Sequence, residues 1–125
     1  MTPLQEQFEI LKNEYQEAVS QQLPSGACLI VIPNFKLSNG WSHQSTTVKF
    51  LAPVGYPFAK PDCFWIEPTV RLKSGGMPQN CNISAIPEVN VNHLWFSWHV
   101  AQWNPNRDNL LTFVRVIESR LKDPR

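Results

Sequence analysis

Five apolar residues, Leu4, Phe8, Leu11, Tyr15 and Val19, recur at spacings of four, three, four and four near the start of the chain. That spacing marks one face of a helix. Glu6, Glu9, Lys12, Asn13, Glu14, Gln16 and Glu17 make up most of the other face. Thr2 can cap the helix and Pro3 suits its first turn, so the pattern predicts a helix over 2–21, ended by Pro24-Ser25-Gly26. The period then changes. Ala27-Cys28-Leu29-Ile30-Val31-Ile32 is a branched apolar run bounded by Gly26 and Pro33, which predicts a buried strand. Asn39-Gly40 signals a turn, with Phe35 to Leu37 as a short second strand. Residues 46–51 predict a third strand, stopped by Pro53, and residues 63–66 a fourth, stopped by Pro68. Residues 68–105 carry little periodicity and many Pro, Gly, Asn and Ser. A loop of that length in a compact domain is usually functional or a misread element, and its aromatic content predicts that it is ordered against the sheet. Arg107 to Leu121 predicts a second helix with Asp108 as cap; its stripe is Leu110, Val114, Ile117 and Leu121, widened by Leu111 and Phe113. The predicted fold class is therefore α+β: an N-terminal helix on one face of an antiparallel meander of three to four strands, a long loop and a C-terminal helix. Residues 1–125 show no repeat or linker and read as one domain.

Composition narrows the function classes. The chain has 125 residues, enough for one core, and a net charge of +1, which supplies no basic field for nucleic acid. No apolar run reaches the roughly 18 residues that a membrane span needs, and Met1 to Glu6 lacks the opening of a signal peptide. Cys28, Cys63 and Cys81 are too few and too scattered for a disulfide framework, which suits a reducing, cytoplasmic setting. There is no Cys-x-x-Cys pair, no histidine cluster and no glycine-rich phosphate loop, so no metal or cofactor is expected.

Among the cysteines, Cys28 and Cys63 sit in apolar runs, where cysteine acts as a small buried hydrophobe. Cys81 lies in the polar stretch Gln79-Asn80-Cys81-Asn82, through which no helix or strand pattern runs. An accessible thiol on an irregular segment braced by a rigid scaffold suits a nucleophile; the alternative is a loop cysteine without chemistry, or one tucked under the tryptophans. Asn80 and Asn82 are either turn residues or hydrogen-bond donors to a reacting oxygen. His99 is either a donor or base near Cys81 or a core histidine. Trp95, Phe96, Trp98 and Trp103 suit a small core under the long loop better than a partner surface.

One constellation is more specific. Tyr56-Pro57-Phe58 is followed by Pro61, by Cys81 twenty-five residues after the tyrosine, and by the corner Trp103-Asn104-Pro105 before the last helix. This order resembles the ubiquitin-conjugating enzymes, which carry Tyr-Pro-Phe-x-x-Pro, a cysteine about as far on, a Trp-Ser-Pro-like corner and then a helix. The resemblance covers most of the chain, and Pro53 is a further match. It implies that Tyr56, Pro57 and Phe58 are scaffold for the approach to the site and that Cys81 forms a thioester. Lys60 replaces the first of two family prolines. The family's His-Pro-Asn is absent, Arg71-Leu72-Lys73 standing in its place, and two terminal helices are missing. Asn80, Asn82 and His99 are the candidates to replace the lost asparagine.

These departures, with Trp95, His99, Trp103, Pro105 and Asp108, resemble the compact bacterial branch, the prokaryotic ubiquitin-conjugating-like family E. Its genes sit beside a ubiquitin-like protein, an activating enzyme and a JAB-type isopeptidase. The resemblance implies a transferase that takes a ubiquitin-like protein from an activating enzyme, the ATP being used by that partner, and passes it from Cys81 to an amine of a target protein. It also implies that the first helix meets the activating enzyme and that the setting is often antiviral (antiphage) defence. The rival is a catalytically inactive ubiquitin-conjugating variant or RWD-like binding module, which the lost His-Pro-Asn favours and a cysteine at family spacing opposes.

Overall fold

The computed structural model describes residues 1–125. Helix α1 spans Pro3–Glu14 and begins as its sequence predicts. The Thr2 hydroxyl accepts from the Gln5 N–H at 3.1 Å, and the Gln5 side chain accepts from the Thr2 N–H at 2.9 Å. The helix ends well short of residue 21, with Tyr15 as its cap. Val19–Gln22 is strand β1, antiparallel to β2 (Cys28–Lys36). The apolar spacing that placed Val19 on the helix stripe is coincidental, since Val19 is 56 % exposed whereas Leu11 is fully buried. Pro24-Ser25-Gly26 closes this hairpin, the Leu23 N–H donating to the Ala27 carbonyl at 2.8 Å. Pairing there covers the main-chain donors and acceptors of β2 that a longer helix would leave open.

The segment Phe35 to Leu37 is not a separate strand. Phe35 and Lys36 continue β2 past an irregularity at Pro33-Asn34, where Pro33 has no N–H and Asn34 takes a φ of 57°. Strands β3 (Ser45–Ala52) and β4 (Phe64–Ile66) lie where the sequence places them. The stretch 68–105 holds two more strands, β5 (Cys81–Ala85) and β6 (Asn92–Phe96). The sheet order is β1-β2-β3-β4-β6-β5, antiparallel throughout. The expected meander is thus β2 to β4, extended by β1 on one side and on the other by a hairpin with β6 inside and β5 at the edge.

Helix α2 spans Leu110–Leu121. Its cap is Asn109, not Asp108: the Asn109 side chain accepts from the Thr112 N–H at 3.1 Å. Asp108 instead accepts from the Asn104 N–H at 2.7 Å, closing the turn after Trp103. Both helices contribute to the main core, where Phe113 of α2 meets Phe50 at 5.1 Å between centroids and Phe64 stacks on Phe96 at 4.8 Å. A smaller cluster of Leu23, Leu29, Trp65 and Ile86 occupies the other face, with Trp95 against it. The expected aromatic mini-core is therefore dispersed: Phe96 joins the main core, Trp95 the small cluster, Trp98 packs on Arg120, and Trp103 on Tyr56.

Two substitutions test this placement. Phe64→Ala removes a fully buried stacked ring and is expected to cost about 3–5 kcal/mol in urea unfolding. Val19→Thr is expected to cost less than about 0.5 kcal/mol, because Val19 is exposed on an edge strand; a loss of 2 kcal/mol or so would restore it to a buried helix stripe.

Candidate active site

Cys81 opens β5, so the irregular backbone expected around it ends at Asn80. Polar residues at an edge strand hid the strand pattern: of residues 81–85, Asn82, Ile83 and Ala85 are exposed. Cys81 lies opposite Phe96, which lies opposite Phe64, and residues directly opposite in a sheet share a face. The Cys81 side chain therefore points to the helix face, against the main core and beside Arg120. Asn82 is in register with Trp95 and projects to the other face. Its side-chain oxygen accepts from the Ile83 N–H at 3.0 Å.

Of the three thiols only Cys81 is not buried; Cys28 and Cys63 are each 8 % exposed, as their apolar runs predict. The Cys81 thiol donates to the Pro78 carbonyl at 3.2 Å. Burial pushes the thiol above its ordinary value, and the Arg120 and Arg71 cations pull it part of the way back. Burial also raises the Cys28 and Cys63 thiols.

The residues just before Cys81 are held on both sides. Asn80 has a φ of 59°, a conformation asparagine tolerates, and its carbonyl accepts from the Ser97 N–H at 2.8 Å. Its side chain is exposed at the entrance to β5. The Gln79 carbonyl accepts from an Arg120 guanidinium NH2 at 2.9 Å. Arg120 is 1 % exposed and lies over the rings of Phe96, Trp98 and Trp41 at 5.0, 5.3 and 5.9 Å. It is the site residue that sequence reading missed. A signal existed: position 120 falls three residues after Ile117, on the apolar face of α2.

His99 does not join Cys81 in this cluster. Its Nδ1 pairs with the Asp62 carboxylate, and the two stand next to Cys63. Strand β6 separates that group from Cys81: the Cys63 N–H donates to the Trp98 carbonyl at 3.1 Å on one flank, while Ser97 bonds Asn80 on the other. Tyr56 and Trp103 form a scaffold of packed rings tied to α1. Their rings pack at 6.0 Å, the Trp103 indole N–H donates to the Pro57 carbonyl at 2.7 Å, and the Tyr56 hydroxyl donates to Gln7 of α1. Phe58 departs from that role, being 81 % exposed, because the turn that buries Tyr56 leaves position 58 on its outer side.

This is a partly exposed thiol at the head of an edge strand, in a chain that also holds a packed tyrosine-proline segment and a tryptophan corner ahead of its closing helix. The family model of prokaryotic E2 family E matches residues 6–123. The chain belongs to prokaryotic E2 family E. No curated protein and no solved structure matches it. An E2-like chain is a ubiquitin-conjugating-like transferase in general character, and interaction with a ubiquitin-like protein and an activating enzyme goes with the family.

Two measurements check the geometry of this E2-like thiol. Alkylation of Cys81 is expected to outpace that of Cys28 and Cys63 and to rise with pH to a midpoint above that of a free thiol; Arg71→Gln, which removes a favourable cation, slows it by about two-fold near neutral pH. Since the raised value favours the protonated thiol, its contribution to stability is present below the unfolded thiol value and is lost as pH climbs through the folded one. Arg120→Met is expected to cost about 3 kcal/mol in chemical unfolding, by leaving the Gln79 and Asp123 main-chain oxygens without their donor, while Arg125 keeps the Gln79 N–H.

Proposed function

We propose that this prokaryotic E2 carries a ubiquitin-like protein as a thioester on Cys81 and transfers it to an amine of a target protein. The observation that carries the reading is the position of Cys81. It is the least buried of the three thiols, stands at the head of an edge strand, and follows Tyr56 at the spacing of the conjugating enzymes. An edge leaves approach open to a donor protein and then to an acceptor.

In the first step the Cys81 thiol loses its proton and the sulfur attacks the thioester carbonyl of the modifier held on the activating enzyme. A C–S bond forms to Cys81, the C–S bond to the donor cysteine breaks, and the departing sulfur takes up a proton. One thioester replaces another, so a raised thiol value is tolerable and no strong base is required beside Cys81. In the second step an amine nitrogen attacks the Cys81 thioester. A C–N bond forms, the C–S bond breaks, and the proton shed by nitrogen returns to the Cys81 sulfur. ATP is spent earlier, by the activating enzyme.

The second step builds charge on the carbonyl oxygen, which needs a donor. Asn80 is the better placed candidate. It adjoins Cys81, its carbonyl is fixed by Ser97, and its side chain is exposed at the head of β5. Asn82 projects to the opposite face, and His99 is engaged by Asp62 across β6. The same proposal sets the chain in a reducing cytoplasm, where three free thiols persist, and in antiphage defence with a JAB-type isopeptidase as a pathway partner. Loss of plaque protection in a Cys81→Ala strain tests that setting.

The deciding experiment is a charging assay with the activating enzyme, the ubiquitin-like protein and ATP, read on a non-reducing gel. A reductant-sensitive adduct is expected that vanishes in Cys81→Ala, with a reductant-stable oxyester or no adduct in Cys81→Ser. Asn80→Ala is expected to charge normally but to discharge onto lysine about 100-fold more slowly. Absence of charging with active partners would favour the inactive binding module, and charging that survives Cys81→Ala but not Cys63→Ser would move the nucleophile.

A further inference from the structure

On the flank of β6 away from Cys81, three chemically distinct ligand groups converge. Asp62, Cys63 and His99 each offer one ligand atom, and these atoms lie within 4.8 Å of one another. We infer that Asp62, Cys63 and His99 form a binding site for a zinc-class divalent ion. The inference does not rest on the thioester reading, since Cys81 takes no part in it.

The donor set is the first argument. A thiolate, an imidazole and a carboxylate together are the ligands that zinc accepts, at about 2.3, 2.0 and 2.0–2.2 Å, whereas hard ions such as magnesium favour all-oxygen shells. Around one tetrahedral ion such ligand atoms sit roughly 3.3–3.7 Å apart. Here the His99 Nδ1 and the Asp62 carboxylate bond each other directly, so an entering ion parts them by about an ångström, while the Cys63 sulfur closes on them by about as much. Asp62 and His99 can supply this by side-chain rotation, because their side chains are 53 % and 55 % exposed.

Rigidity of the frame is the second argument. Asp62-Cys63 and His99 belong to segments tied to each other at two further points. The Cys63 N–H donates to the Trp98 carbonyl at 3.1 Å, and the Lys60 ammonium donates to the Val100 carbonyl at 3.2 Å. Cys63 is itself 8 % exposed and holds a φ of 62°, so the sulfur sits at the floor of the group with the two exposed ligands above it. Three protein ligands leave a fourth position for water on the solvent side.

Loading is a proton exchange. Metal displaces the proton of the Cys63 thiol, a sulfur–metal bond forms, and one proton leaves to solvent; His99 supplies a ring-nitrogen lone pair and Asp62 a carboxylate oxygen. The bound ion would fasten the Tyr56–Pro61 segment to the stretch that leads to Trp103.

Cobalt(II) titration of the whole chain, read by absorbance, tests the site. The expected result is an equimolar thiolate-to-cobalt charge-transfer band in the wild type and in Cys81→Ala, displaced by added zinc. Cys63→Ser removes the band, and His99→Ala weakens binding by more than the 10–100-fold that loss of an outer-shell partner costs. His99 and Asp62 are exposed, so His99→Ala and Asp62→Asn decide the matter even where Cys63→Ser folds poorly. A wild type without a thiolate band in excess cobalt, or a band that survives Cys63→Ser or vanishes in Cys81→Ala, overturns the assignment.

Discussion

The Arg120 guanidinium is the constraint on which the site end of this molecule depends. It is fully buried without a salt-bridging carboxylate, a costly situation that its two terminal nitrogens offset by donating, while its Nε–H is left without a partner. Three aromatic faces surround it, and its two terminal nitrogens donate to main-chain oxygens of Gln79, Asp123 and Arg125 at 2.8–2.9 Å. One side chain on α2 thereby ties the strand entry before Cys81, the tail after the helix and the end of β6 into one unit. The tail is locked from other sides too. Arg125 packs on Trp98, and Pro124 lies so close to Gly40 that an added Cβ would approach it at 2.5 Å. Trp41 completes the arrangement by donating to the Leu121 carbonyl at 2.8 Å, which satisfies an oxygen that the helix end leaves free.

That anchor explains how an edge strand can carry chemistry. An edge gives access but little order, and β5 has only one neighbour, β6. Its head is nonetheless fixed, because Arg120 holds Gln79 and Ser97 holds Asn80. The rest of β5 has no such support and is largely exposed. Rigidity is concentrated at the two residues before the thiol, where a thioester would need its carbonyl held in one orientation.

What could be read in the sequence follows from locality. The cap at Thr2, the apolar runs of β2 to β4 and the stripe of α2 are each specified by neighbours in sequence, and all form as read. Burial of Cys28 and Cys63 against partial exposure of Cys81 followed from the same local hydrophobicity. What failed depends on partners far along the chain. Val19–Gln22 is a strand because β2 offers an edge, and β6 pairs on both sides, so its residues lack a two-period alternation. Arg120 went unread because its partners, Gln79 and the three rings, are distant in sequence. The same holds for Asp62, Cys63 and His99, whose histidine is distant in sequence and carries no motif spacing.

The two cysteines beside β6 show how environment divides one chemical group between two fates. They head adjacent partners of the same strand, roughly 10 Å apart by two inter-strand spacings, too far for a disulfide without backbone movement. Burial raises both thiols. At Cys81 the further influences are cations, Arg120 and Arg71, which favour a thiolate in the presence of an incoming carbonyl. At Cys63 the further charge is the Asp62 carboxylate, which opposes a free thiolate and would favour one only when a cation sits between them. Strand β6, bonded to both flanks, keeps the two environments apart while fixing them to one scaffold.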